Sequence, residues 1–258
     1  MPTILARYGP YFLHTYTVIL WLGVGAALGV SAALARRDRR AALDGWFDGA
    51  LAAAAGALLV GRVVFVWLNA AYFAENPAEA WQIQRGGLGY HGALLGGLAG
   101  LWLWARLTRR PFYPYAALLA PGLALLAAFG WAACGVAGCA YGLPAAPGPL
   151  SADLPDSLGV YALRYRTQSA GMLGALGVFA TALWAYGRAR PARLFWGTLA
   201  ALSLVHAVVA LGRGDPAPVL FGLRLDLWVD AGLIVVAVAG SYERRTTRLL
   251  SHNDEIEN

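Results

Sequence analysis

A chain of 258 residues that is 59% hydrophobic and only 13% charged lacks the polar surface to cover a soluble particle, since soluble domains carry about 25% charged residues. Apolar runs of roughly 18 residues or more recur without period-2 alternation, which excludes a β-barrel and points to an all-α integral membrane protein. The formal charge of +6 rests on 20 basic residues, every one an arginine. They sit in short connections between apolar runs, so the excess reads as topology and lipid contact and excludes a nucleic-acid surface.

About seven spans are expected in chain order. Residues 1–10 lack the basic start and cleavage site of a signal peptide, so the first span, Tyr11–Ala35, would itself direct insertion. It ends at Arg36-Arg37-Asp38-Arg39-Arg40. The second, Trp46–Tyr72, carries Gly61-Arg62 in its course, and a polar connection from Glu75-Asn76-Pro77 to Gln84 follows. The third runs from Gly87 to Leu107. The fourth, Pro114–Gly138, is expected to break near Pro121-Gly122. A Pro- and Gly-rich loop, Gly142–Gln168, precedes Ala170–Gly187, Leu194–Leu211 and Leu225–Gly240. Residues 1–242 read as one transmembrane domain and 243–258 as a charged, mobile tail. Alternate connections hold 13 arginines on one side and 6 on the other, with Arg62 inside a span. That asymmetry puts the N-terminus outside and the C-terminus in the cytoplasm.

Four stretches could carry chemistry. In Arg85-Gly86-Gly87-Leu88-Gly89-Tyr90-His91-Gly92, a histidine sits among glycines at the mouth of a helix. Gly92, Gly96 and Gly100 recur every four residues on one face, which suits either close helix packing or a slot for a lipid headgroup. Arg62 lies within an apolar run, where an arginine costs ~2.5–3.5 kcal/mol and needs an interior partner. Arg213 follows the sixth span directly; it suits a phosphate, or equally an ion pair with Asp215, and His206 lies two turns earlier on the same face. Cys134 and Cys139 point apart in a continuous helix, so two buried apolar thiols are the default and a bridge requires an unwound segment. Asp48 and Asp230 lie near or in spans, and no sequence pattern pairs either with His91. No clustered metal ligands are evident, so no metal site is expected.

From about Leu13 to Val235 the chain resembles the prolipoprotein diacylglyceryl transferases. Gly86-Gly87-Leu88-Gly89-Tyr90-His91-Gly92 is similar to the family's Gly-Gly-x-x-x-His-Gly-Gly signature, and Gly61-Arg62-Val63-Val64-Phe65-Val66 to its Gly-Ala-Arg-x-x-Tyr-Val stretch. Asn76-Pro77, Tyr16, Thr167-Gln168 and Arg213 also fall at matching places, and Gly138 and Gly142 are kept. The resemblance implies transfer of diacylglyceryl from phosphatidylglycerol to the lipobox cysteine of prolipoprotein signal peptides in the bacterial plasma (inner) membrane, with no cofactor. It implies His91 as base, Arg213 and Arg62 as charge stabilisers, Tyr16 as a pocket donor, and Gly87, Gly92, Gly138, Gly142 and Gln168 as substrate-binding positions. The chain departs from the pattern in its fourth span. Trp131 stands where the family has an arginine, Cys134 and Ala137 where it has asparagines, and Cys139 where it has a glutamate. Arg164 or Arg166 could supply the missing charge. The alternative is a relative without the activity, binding lipid or a protein partner in the inherited cavity.

Overall fold

The computed structural model describes residues 4–9, 11–38, 44–83 and 87–254. The expectations on Arg39, Arg40, Arg85 and Gly86 fall outside these residues. A hairpin opens the chain, β1 (Ile4–Tyr8) against β2 (Tyr11–His14). The first predicted span therefore starts late: its first four residues form a strand paired with β1, and the helix, α1, is Thr15–Arg37. α2 (Trp46–Leu68) stops before the predicted Tyr72. Asn69 leaves helical geometry there and its side-chain amide donates to the Phe65 carbonyl at 2.8 Å, after which α3 (Ala70–Glu75) begins. A short 3₁₀ turn, Pro77–Trp81, has its proline in the first turn, where no N–H is needed. α4 is Tyr90–Leu107.

α5 (Phe112–Ala137) corrects the expected break at Pro121. The helix runs through the proline, which is fully buried. At Gly122 an added Cβ would lie 2.8 Å from the Ala27 carbonyl oxygen, so the α1 backbone presses on this point. Tertiary packing here outweighs the lost hydrogen bond. The Pro/Gly-rich loop also holds more order than expected. β3 (Ser151–Pro155) pairs antiparallel with β4 (Tyr161–Tyr165). α6 (Thr167–Ala185) and α7 (Pro191–Ala210) follow, then the short hairpin β5 (Val219–Leu220) and β6 (Leu223–Arg224). The last helix, α8 (Leu225–Asp254), does not stop at Gly240 but continues through much of the predicted tail. Good helix formers such as Glu243, Arg244, Leu249 and Leu250, with no proline among them, allow that continuation.

The chain is mostly helical. Five helices, α1, α2, α5, α6 and α7, are long and apolar enough to cross a membrane. Only 11% of the most apolar stretch of α2 is buried, which leaves its remaining surface suited to hydrocarbon.

Two compact units emerge, one of Asp38–Ala116, the other of Met1–Arg37 with Ala117–Asn258. In the first, α2 and α4 cross backbone to backbone. A Cβ on Gly96 would lie 2.2 Å from the Gly56 carbonyl oxygen, and one on Gly100 2.2 Å from that of Ala52. The glycine face is thus a helix contact and not the open slot that its spacing also allowed. At the far end, Arg110 donates to the Tyr115 hydroxyl at 2.8 Å and to the Asp44 carbonyl. In the second unit, a core of Ala124, Ala128, Trp131, Ala175, Val178 and Leu202 joins α5, α6 and α7.

Candidate active site

The smaller unit builds a loop around Arg62. This buried guanidinium donates through Nε to the Ala80 carbonyl at 2.7 Å, through Nη2 to Glu79 at 2.6 Å and through Nη1 to Gly87 at 3.0 Å. It also lies over the rings of Phe65 and Phe73, at 5.5 and 5.4 Å. Those bonds span the connection from α3 to α4 and tie it to the C-terminal third of α2. Gly87 adopts φ 82°, and a Cβ there would sit 2.4 Å from the Phe65 ring, so glycine is required. The Gly89 amide then donates to the Gly61 carbonyl at 2.9 Å. α4 begins at Tyr90, and His91 occupies its first turn, half-buried, edge-to-face with Tyr90 at 5.0 Å. Gly92 packs on Val64 at a distance a Cβ could not tolerate, 2.7 Å. Arg62, Gly87, His91 and Gly92 are thus assembled together. Arg62 and the two glycines fix the frame, and His91 is the titratable side chain it carries. Three of the Arg62 N–H groups serve carbonyls.

The larger unit builds its site around Arg213. The Tyr141–Ala145 segment lies between two others. Leu143 N–H bonds to the Gly212 carbonyl at 2.8 Å and Gly214 N–H to that of Tyr141 at 2.7 Å; on the other side Tyr165 N–H bonds to Leu143 at 3.1 Å. Gly142 sits where a Cβ would lie 2.2 Å from the Tyr165 carbonyl oxygen, so only glycine lets these backbones meet. Arg213 is held there in a fork on Asp215, Nε to Oδ1 at 2.8 Å and Nη2 to Oδ2 at 2.6 Å. Its Nη1 reaches Asp226 Oδ2 and His206 Nε2, both at the longer distance of 3.3 Å. Arg224 closes the cluster, at 3.1 Å from Asp226 and 3.6 Å from Asp215. The ion pair with Asp215, one of the two readings of Arg213, is therefore made. Burial of Asp215 works to raise its pKa, but the Arg213 hydrogen bond and the charges of Arg213 and Arg224 outweigh it and hold the carboxyl below its ordinary value.

His206 carries the network inward. Its Nδ1 lies 2.7 Å from Oδ2 of Asp230, a carboxylate with no exposed surface at all. No sequence pattern had joined these two. The signal available was physical: an acidic group inside a span needs an interior partner, and His206 is an intramembrane polar group on the preceding helix. The ring of Trp131 lies beside that of His206, with centroids 5.8 Å apart. Trp131 is buried, and an added Cβ on Gly171 would overlap its indole at 2.3 Å. The indole thus packs directly against α6 at Gly171.

The remaining predicted positions hold the scaffold. Gly138 takes φ 71° just past α5, with the Asp156 carbonyl oxygen 2.5 Å from where a Cβ would stand. That turn unwinds the helix and swings Cys139 back to Cys134. The two form a disulfide, which corrects the default of two free apolar thiols. Gln168 is buried and donates to the Cys139 carbonyl at 3.0 Å, while Thr167 donates to Ala140 at 2.7 Å. Gly138 and Gly142 thus sit at close backbone approaches, and the Gln168 side chain binds a backbone carbonyl. Tyr16 stands half-buried in the first turn of α1. Of the two loop arginines, Arg164 pairs with Asp156 at 3.2 Å and lies over the Tyr141 ring at 4.8 Å. Arg166 is exposed and donates from Nε to the Ser151 carbonyl at 3.1 Å. Asp156 has its pKa lowered chiefly by the Val160 amide, with further help from Leu158 and Arg164 against a desolvation cost.

Comparison with known proteins places this geometry in context. The family model for prolipoprotein diacylglyceryl transferase matches residues 2–242. A phosphatidylglycerol–prolipoprotein diacylglyceryl transferase of Corynebacterium efficiens is 30% identical over 264 aligned positions, covering 89% of this chain and 77% of that protein. The same-named protein of Nitratidesulfovibrio vulgaris is 29% identical over 181 positions, 70% of this chain and 67% of the relative. That of Thermus thermophilus is 37% identical over 126 positions, 47% of this chain and 43% of the relative.

Proposed function

The chain belongs to the prolipoprotein diacylglyceryl transferase family, and from that premise we propose that it transfers diacylglyceryl from phosphatidylglycerol to the lipobox cysteine of prolipoproteins. The observation that carries this reading is the family match across residues 2–242, which takes in both His91 and Arg213. The chemistry is a displacement at carbon. The cysteine sulfur bonds to the glyceryl carbon that carries the phosphate ester, that C–O bond breaks, and glycerol phosphate leaves with the bonding pair. The thiol proton must go to a base, and His91, held in the first turn of α4, takes that role. Negative charge gathers on the phosphate, and Arg213 neutralises it. Its Nη1 edge is the one to offer, because the contacts there are the longest the guanidinium makes. Tyr16 serves as a hydrogen-bond donor to the lipid. Arg62, Gly87 and Gly92 serve His91 by fixing its loop, and Gly138, Gly142 and Gln168 serve Arg213 by fixing the strands beside it.

Both substrates live in the bilayer, and the five long apolar helices support a multi-pass membrane protein. The full reading is one domain over residues 1–242 with seven spans, α4 and the first part of α8 being the other two. The N-terminus lies outside and the C-terminus is cytoplasmic in the bacterial inner membrane. The disulfide supports an oxidising outer side for the end of α5.

Trp131 favours a second reading, a relative that binds lipid or a partner without transfer. Its indole occupies the place where the family pattern has an arginine. Labelled phosphatidylglycerol and a lipobox peptide in proteoliposomes separate the two. Label on the peptide thiol, lost in both His91→Ala and Arg213→Ala, supports transfer. No label with folded wild-type protein supports the second reading, and label that survives both substitutions rejects the site assignment.

A further inference from the structure

We propose that His206, oriented by Asp230, is a positioning residue for Arg213, holding the Nη1 edge of the guanidinium where the lipid phosphate binds. The inference rests on the transferase reading in that it takes the phosphate to be that of phosphatidylglycerol. An arginine can only donate, so the contact between Arg213 Nη1 and His206 Nε2 makes Nε2 the acceptor. The ring proton is then on Nδ1, directed at the Asp230 carboxylate 2.7 Å away. A carboxylate that fixes the tautomer of a histidine, and through it the direction of the next group, is a recurring device at reactive sites.

The geometry pins Arg213 at two edges. Asp215 grips Nε and Nη2, and His206 fixes Nη1. Asp226 is the exchangeable partner. It meets Nη1 at 3.3 Å, and when a phosphate displaces it, Arg224 still holds it at 3.1 Å. The phosphate thus gains a guanidinium hydrogen without stranding a carboxylate, and Asp230–His206 keep the guanidinium from following its aspartates. Burial of both His206 and Asp230 makes this anchor stiff.

The test is steady-state kinetics of the full chain in proteoliposomes, with KM read separately for phosphatidylglycerol and for a lipobox peptide, beside direct binding of phosphatidylglycerol. His206→Ala and Asp230→Ala are expected to raise KM and Kd for the lipid by ~tenfold or more, the scale of one hydrogen bond to a charged group. KM for the peptide stays unchanged. His206→Gln is expected to remain near wild type, because glutamine donates to Asp230 and accepts from Arg213 yet cannot take a proton. Asp230→Asn is likewise tolerated, since its amide oxygen still accepts from Nδ1–H. His206→Gln failing as His206→Ala does, with kcat lost and lipid KM unmoved, overturns positioning in favour of proton transfer. Equal loss for both substrates, in step with the folded fraction, overturns it in favour of a structural role, and so does wild-type behaviour of His206→Ala. A wild type that transfers nothing but binds phosphatidylglycerol with this order of variants sinks the transferase reading and leaves the positioning role standing. A wild type that does not bind phosphatidylglycerol overturns the positioning role as well.

Discussion

Arg62 is buried and Arg213 half-buried, both lie in stretches that resemble family motifs, and the partners described for them differ in kind. Arg62 is met by neutral carbonyls of Glu79, Ala80 and Gly87 and shapes a loop. Arg213 is met by the carboxylates of Asp215 and Asp226 and by a histidine, and forms part of a charge network. A guanidinium that satisfies backbone acceptors is architecture, since each acceptor left without it would be an unpaired polar group. A guanidinium among titratable and exchangeable partners is equipped to receive an anion. Motif membership does not separate the two cases; the chemistry of the partners does.

Substitution should divide the pair. Arg213→Gln is expected to leave the fold largely intact and to lower the transfer rate by ~10²–10³, the usual loss when one donor to developing charge is removed. Arg62→Met is expected to strike stability first. Its three carbonyls lose their donor, a cost on the order of 3 kcal/mol or more, read as a lowered unfolding midpoint and faster amide exchange in residues 77–83 and 87–93. A rate defect without destabilisation in Arg62→Met, or the reverse in Arg213→Gln, breaks the contrast.

Smaller effects test the frames around each arginine. Gly96→Ala drives a Cβ into the α2 backbone and should destabilise by ~1–3 kcal/mol, the range for overpacking, whereas Gly25→Ala, with open space around it, should not. Beside Arg213, Cys134→Ser removes a bridge between residues five apart in sequence, worth about 2 kcal/mol by the loop-entropy relation. The untreated wild type should accept no thiol label before reduction, and a labelled wild type would contradict the bridge. Smallest is the acid response of Asp215. Its folded pKa lies below its unfolded value, so its stabilisation is present at neutral pH and is lost as pH falls through the depressed folded value. Asp215→Asn should therefore flatten the acid limb of the stability profile, and an unchanged limb would remove Asp215 from the account.

The sequence disclosed the helices because apolar runs of bilayer length have one stable solution in hydrocarbon. It misjudged where local chemistry and packing compete. Pro121 reads as a break, but α5 passes through it under the pressure of α1 at Gly122. Tyr11–His14 read as span, but pairing with β1 took them into a hairpin. Among the candidate residues, His91, Arg62 and Arg213 were visible as polar groups in improbable surroundings. The His206–Asp230 pair was not, because its members are 24 residues apart on successive helices and only the packed bundle joins them. Most glycines of the motif stretches proved to be places where two backbones touch, a role that spacing alone leaves level with a substrate slot.

The most direct test of the central claim is the stoichiometry of products. Folded protein in phosphatidylglycerol liposomes is given a lipobox peptide; the peptide's intact mass and the free glycerol phosphate are measured together. The account predicts one thioether-linked diacylglyceryl gained for each glycerol phosphate released, with both products absent from Arg213→Ala. Glycerol phosphate without modified peptide, or neither product from well-folded wild type, would contradict it.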